Sequence, residues 1–216
     1  MKRRTIVVLS FLSAVVSAIY VVSNYFGWNR YISMHLFSNE SYIKNYLKLD
    51  KGSNKRTVIS LDSKNPEKLK PTLNSLLDQT VRVDEIAINV KRGLKVPNEV
   101  KKIARVYTYD KTYKDDLGGI IPTILREEDA DTLIIWVRDD MIYGKDMIET
   151  LLEQNAKDPD KVIGIKNINS KNGVLIKPKF FTDKSTSCSL SSESWISNNT
   201  KNSVNVINYS ENYGRF

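Results

Sequence analysis

The run Thr132-Leu-Ile-Ile-Trp-Val137 constrains this chain more than any other segment. An unbroken apolar stretch of this length is the pattern of a strand buried on both faces of a parallel sheet. A strand with one wet face would alternate polar and apolar residues instead. The run stops at two adjacent carboxylates, Asp139 and Asp140. In open α/β sheets ligands sit outside the carboxyl ends of the strands, so acids placed there face a ligand rather than the core. Two hard oxygen donors at such a spot suit a divalent cation carrying a substrate phosphate. The alternative is that both acids only solvate the strand end and open a turn.

Elements alternate around this strand. Residues 57–61, 85–90 and 104–109 read as further strands. Asn65-Pro66 supplies a cap and a first-turn proline for a helix that carries Leu69, Leu73, Leu76 and Leu77 on one face. A short helix follows Val96-Pro97-Asn98, another spans 120–128, and an amphipathic one spans 145–157. This βαβαβαβα order predicts an α/β fold with a mostly parallel sheet, right-handed crossovers and helices on both faces. Beyond Asp158-Pro159 the pattern shortens to strands at 162–165 and 173–176 around a turn. Phe180 and Phe181 follow as packing residues, then a Ser/Thr-rich loop at 182–192, a short helix opening at Ser192, and a last strand at 204–207.

The N-terminus is of another kind. Lys2, Arg3 and Arg4 precede a stretch without charge that runs to Arg30. At a rise of about 1.5 Å per residue, the apolar part from 5 to 24 spans a hydrocarbon core of about 30 Å. The basic flank holds residues 1–4 in the cytoplasm and predicts a single-pass, type II signal anchor. Tyr20, Tyr25, Phe26 and Trp28 are placed to anchor at the far interface. A cleavable signal peptide ending near Val16-Ser17-Ala18, which would release a secreted protein, is the competing reading. The apolar stretch continues past that point, which favours the anchor. The expected organisation is therefore a flank at 1–4, a membrane helix at 5–24, a stem or linker at 25–54, a catalytic-type domain at 55–209 and a tail at 210–216.

Cys188 is the only cysteine among 216 residues, so no disulfide within the chain is available. The net charge of +8 raises nucleic acid as a partner. The lysines are scattered rather than gathered in a stripe with interleaved aromatics, however, and three positive charges belong to the N-terminal flank. Three Asn-x-Ser/Thr triplets, at Asn39, Asn198 and Asn208, are weak signals in a chain this rich in Asn and Ser. His35 lies outside the predicted domain and is assigned no chemistry.

Several segments, in order, carry a resemblance to a known family. They are Val58-Ile-Ser-Leu-Asp-Ser63, Leu76-Leu-Asp-Gln-Thr80, Val83-Asp-Glu-Ile86, the acidic strand from Asp131 to Tyr143, Gly173-Val-Leu-Ile-Lys-Pro-Lys-Phe-Phe181 and Ser191-Ser-Glu-Ser-Trp-Ile-Ser197. Over about 57–207 they resemble nucleotide-sugar glycosyltransferases of the GT-A fold, in particular small family-2-like members. The resemblance implies transfer of a sugar from a nucleotide-sugar donor to a glycan, lipid or protein acceptor, with inversion favoured. It implies Mn²⁺ or Mg²⁺ held by Asp140 with support from Asp139. Such a metal acts as a Lewis acid on the departing diphosphate. Glu193 matches the catalytic base that takes a proton from the acceptor hydroxyl. Asp62 matches the contact to the donor's base and ribose, with a strand-end turn residue as the competing reading. Trp195 is read as a buried packing residue, with stacking on an acceptor sugar as the competing role.

The chain also departs from the family at these stations. Arg138 stands where an acid is usual; a guanidinium does not coordinate a metal, but it can clamp a phosphate bidentately or neutralise Asp139. Lys114-Asp-Asp-Leu-Gly-Gly-Ile-Ile-Pro122 carries Gly119 where a lysine is expected, and Glu193 stands alone where two acids are usual. The second expectation is therefore a catalytically degenerate relative that binds a nucleotide, a glycan or a partner enzyme. The domain is short for this fold, so a second copy or a partner completing the acceptor site is a further expectation.

Overall fold

A computed structural model of the chain describes residues 2–25, 27–110, 113, 117–167, 172–181, 192–200 and 204–207, with the side chains of 2–5, 192, 193, 197 and 199 outside that description. The expected features at Cys188, the 182–191 loop, Asn208 and the tail lie outside the described residues. The chain divides into two compact units, the first carrying the N-terminal helices and the second spanning Ser38–Tyr209.

In the first unit, α1 (Lys2–Tyr25) is followed by α2 (Trp28–Leu36). Within α1, Ile6–Tyr25 is long and apolar enough to cross a membrane, with a mean hydropathy of 2.4 and none of it buried. On α2, Trp28, Ile32 and Leu36 lie four residues apart on one exposed face.

The second unit is an α/β domain built on a seven-stranded sheet. In chain order its elements are α3 (Asn39–Tyr46), β1 (Thr57–Ser63), α4 (Lys70–Leu77), β2 (Glu85–Lys91), α5 (Asn98–Lys101), β3 (Arg105–Tyr109), α6 (Ile121–Arg126), β4 (Leu133–Arg138), α7 (Met147–Lys157), β5 (Val162–Ile165), β6 (Val174–Ile176), α8 (Ser192–Asn199) and β7 (Val204–Ile207). The strand order is β3-β2-β1-β4-β6-β5-β7. All neighbours run parallel except β6, which is antiparallel to both β4 and β5. The sheet is thus mostly parallel, as the alternating elements predict. The reversal at β6 arises because β5 and β6 are joined too closely in sequence for a crossover helix.

Both faces are covered, and β4 shows why its sequence is apolar throughout. Leu133, Ile135 and Val137 enter one core with Ile59, Leu61, Ile88, Leu73, Leu76, Ile148 and Leu151 from the neighbouring strands and from α4 and α7. Ile134 and Trp136 enter the other with Ile120, Ile124, Phe180, Phe181, Trp195 and Ile196. Each fully buried side chain of this size stabilises the fold by about 1.5–3 kcal/mol relative to exposure.

Two boundaries differ from expectation. The domain start expected at Lys55 moves back to Ser38, because the segment read as a stem packs into the second unit. The Tyr46 hydroxyl accepts the Val83 amide at 2.8 Å, and the Arg82 Nε donates to the Leu49 carbonyl at 2.8 Å. Burial pushes the Tyr46 hydroxyl up to about 12, so it stays protonated there. Asn39 is buried and donates to Asn74 at 2.8 Å, which removes it as a glycosylation acceptor. The first strand also runs further than its apolar run, taking in Asp62 and Ser63.

Candidate functional site

The chain leaves β1 towards β2 and β3 on one side and later returns to place β4 on the other. The reversal of strand order between β1 and β4 is a topological switch point, and the space outside their carboxyl ends is where an open α/β sheet receives a ligand. The register pairs Asp62 with Arg138 at those ends. Two sequence-predicted residues are therefore neighbours at the place the fold makes for a ligand.

Asp62 is only 8% exposed and accepts a hydrogen bond from the Tyr109 hydroxyl at 2.6 Å. Burial, with the adjacent Asp62 charge, raises the Tyr109 hydroxyl well above its ordinary value, so it remains a donor. The turn Leu117–Gly119 closes against the same carboxylate. A Cβ on Gly118 would lie 3.0 Å from the Asp62 carboxyl and 2.7 Å from the Tyr109 hydroxyl. A Cβ on Gly119 would lie 2.7 Å from the Asp62 amide nitrogen and 3.0 Å from the Trp136 Nε1. Gly119 thus packs on the backbone of β1 and has no room for the lysine expected at its position.

Below that turn lies a buried polar cluster. The Ser60 hydroxyl bonds the Gly119 carbonyl, and the Asn89 Nδ2 reaches the same carbonyl at 3.3 Å and the Thr123 hydroxyl at 3.1 Å. This cluster fixes the glycine turn over the end of β1.

The acidic turn after β4 is held from the α4 side. The Tyr143 hydroxyl accepts the Arg138 amide at 2.6 Å, and the Tyr143 amide donates to Ser75 at 3.1 Å. The Thr72 hydroxyl donates to the Asp139 carbonyl at 2.8 Å. Gln79, fully buried, donates to the Gly144 carbonyl at 2.7 Å and accepts the Ile148 amide at 3.1 Å. Ser75 and Gln79 on and after α4 are therefore the clamp that sets the turn.

Within the turn the three charged side chains separate. Arg138 donates through Nε to Asp140 Oδ1 at 2.9 Å and through an NH2 group to Oδ2 at 2.7 Å, a bidentate pair. Arg138, expected to clamp a phosphate or to neutralise Asp139, forms its ion pair with Asp140 instead. β4 ends at Arg138 and both acids lie in the turn that follows, so the strand's alternation gave no sign of which acid the guanidinium would meet. Asp139 is half-buried, and burial, with the Asp140 charge beside it, pushes its carboxyl above the usual range against the pull of Ser63 and the Lys64 amide.

The remaining predicted residues fall elsewhere. Trp195 is 1% exposed and stacks on Phe181, with ring centroids 5.0 Å apart and planes 20° apart. Its ring face is occupied, so the sugar-stacking role is replaced by packing in the second core. Glu193 lies on α8, and its side chain is outside the described residues. Sequence reasoning missed Tyr109 and Gly118. Both act on Asp62 only through the spatial order β3-β2-β1, which the linear sequence does not display.

No known family model and no curated protein matches this chain. The fold and the site accordingly define a class alone: an α/β domain with a mostly parallel seven-stranded sheet, charged strand ends at its switch point and an apolar N-terminal helix.

Proposed function

We propose that the protein is a membrane-anchored glycosyltransferase of GT-A-like architecture that moves a sugar from a nucleotide-sugar donor to a glycan, lipid or protein acceptor. The observation that carries this reading is the pairing of Asp62 and Arg138 at the carboxyl ends of β1 and β4, where an anion-binding and a hydroxyl-binding side chain stand next to one another. The mixed sheet, with its reversed strand beside the acid-bearing strand, supports the GT-A-like assignment. The apolar span Ile6–Tyr25 supports the anchor, and the basic flank of Lys2, Arg3 and Arg4 supports a cytoplasmic N-terminus.

In this reading Asp62, oriented by Tyr109, accepts hydrogen bonds from the donor's ribose or base. Glu193 takes the proton from the acceptor hydroxyl as its oxygen bonds to the anomeric carbon. The bond from that carbon to the diphosphate breaks, and the nucleoside diphosphate leaves with the electron pair. A cation is needed where that charge accumulates.

Asp139 and Asp140, expected to hold Mn²⁺ or Mg²⁺, do not fit such an ion as they are arranged. Both carboxyl oxygens of Asp140 are engaged by a guanidinium, and Asp139 is half-buried beside it, with its carboxyl pushed above the usual range by that burial. No step is therefore routed through a metal.

A second reading, a non-catalytic relative that binds a nucleotide or a partner, draws on the same departure at Arg138. The two separate in a donor-hydrolysis assay. The full chain in detergent is given each of a set of nucleotide-sugars, and release of nucleoside diphosphate is followed for wild type and Glu193→Gln. The transferase reading predicts release from at least one donor and a drop of about a hundredfold or more in the variant. Binding without release, unchanged by the substitution, supports the non-catalytic relative.

A further inference from the structure

We infer that Arg138, rather than a divalent cation, neutralises the donor diphosphate, and that its bidentate contact with Asp140 is the resting state of that guanidinium. This inference rests on the nucleotide-sugar reading above and names the charge partner of that same site. Four observations carry it.

The first is geometry. The Nε and one NH2 group of Arg138 meet the two Asp140 oxygens at 2.9 and 2.7 Å. A phosphate presents two oxygens to the same fork, so the arrangement already made for a carboxylate is the one a diphosphate requires.

The second is exposure. The Arg138 and Asp140 side chains are 32% and 56% exposed. An ion pair this wet contributes little to stability, so a dianionic ligand exchanges with Asp140 at small cost.

The third is placement. Arg138 closes β4, lies in register with Asp62 on β1, and has its amide fixed by the Tyr143 hydroxyl at 2.6 Å. The guanidinium is thus rooted at the switch point on a rigid strand rather than on a loop. Rigid rooting is what a charge-stabilising group needs.

The fourth is charge. Asp62, Asp139 and Asp140 crowd these strand ends, and without the Arg138 guanidinium an entering diphosphate would meet those three carboxylates. A divalent ion seated on Asp140 would have to displace Arg138 and then share the turn with its charge. Among the described residues, no three His, Cys, Asp or Glu side chains gather closely enough to supply an alternative metal cage. As the bond to the anomeric carbon breaks, its electron pair stays on the diphosphate, and the guanidinium balances that charge without protonation of the diphosphate.

The test is titration calorimetry of the full chain in detergent with a panel of nucleoside diphosphates, in EDTA and again in Mn²⁺. The variants are Arg138→Ala, Arg138→Lys and Arg138→Asp, each checked for folding by its melting curve. The inference predicts that wild type binds one member of the panel equally well in both buffers. Arg138→Ala loses about tenfold to a hundredfold in affinity, and Arg138→Lys keeps the charge but loses the fork and falls between. Arg138→Asp, which makes the strand end wholly acidic, loses binding in EDTA and recovers it in Mn²⁺. Wild-type binding that requires Mn²⁺ overturns the inference while leaving the transferase reading standing. A folded wild type that binds no member of the panel in either buffer overturns both.

Discussion

The residues at the strand ends act mostly by leaving room or by holding charge where burial resists it. Gly119 is buried where a methyl group would meet the Asp62 amide nitrogen at 2.7 Å, and that neighbour is backbone in the middle of a sheet and cannot swing aside. Gly119→Ala is therefore expected to destabilise the fold by roughly 1–3 kcal/mol, a cost typical of forced overpacking. A melting temperature equal to wild type would contradict this close packing. Asp139 makes the opposite kind of prediction. Its folded carboxyl is raised by burial first and by Asp140 second. Between the unfolded and folded values the native state holds the extra proton, so stability falls as pH rises through that window and stays lower above it. Asp139→Asn has no such penalty. Its melting point should match wild type at about pH 3, where both carry a neutral group, and equal or exceed it near pH 7. A variant less stable than wild type only at neutral pH would mean that the charged form is favoured in the fold.

At the scale of elements, the turn after β4 depends on the end of α4. Gln79 is wholly buried and satisfies the Gly144 carbonyl and the Ile148 amide, on either side of the approach to α7. Gln79→Ala takes the partner of the Ile148 amide away and leaves the Gly144 carbonyl only the Met147 amide at 3.3 Å, and is expected to cost roughly 1–3 kcal/mol. It should also weaken ligand binding at the strand ends, because Ser75 and Thr72 then hold the turn alone. Thermal melts of the variant, followed by the fluorescence of the buried Trp136 and Trp195, check the first effect; an unchanged melt would refute it.

The apolar strands were legible in the sequence because burial on both faces leaves a hydrophobic run, unbroken over 133–137 and interrupted only by the buried Asn89 over 86–90. Strand ends were less so. Asp62, Ser63 and Arg138 stay in the ladder by pairing with neighbours, and no hydrophobic signal marks that. The docking of α3 and the segment after it left a short helical pattern, with Tyr42, Ile43, Tyr46 and Leu49 packed on the first core, but that pattern is too brief to tell a docked helix from a stem. The hydrogen bonds of Tyr46 and Arg82 with distant backbone, which complete the docking, leave no mark in the sequence. The acidic residues of the site were found from strand ends and resemblance. Tyr109 and the glycine turn needed the spatial order of the strands.

The molecule as a whole joins a crevice-bearing α/β domain to an apolar helix in one chain. Ile6–Tyr25 has the length, at about 1.5 Å per residue, to cross a hydrocarbon core. The full chain is expected in the membrane pellet after an alkaline carbonate wash, with its N-terminal residues intact. A soluble product beginning just after Ala18 would establish the cleaved-signal reading instead. The central claim concerns the other unit: its switch-point crevice receives a nucleoside diphosphate. Hydrogen–deuterium exchange of the full chain, with and without a saturating nucleoside diphosphate, tests that claim most directly. Protection is predicted at the end of β1, at the glycine turn over 117–119 and in the turn after β4. A second groove, of about 410 Å³, opens at the opposite ends of the strands among Arg82, Glu85, Lys101 and Arg105. Protection confined to that groove, or no protection at all, would contradict the account.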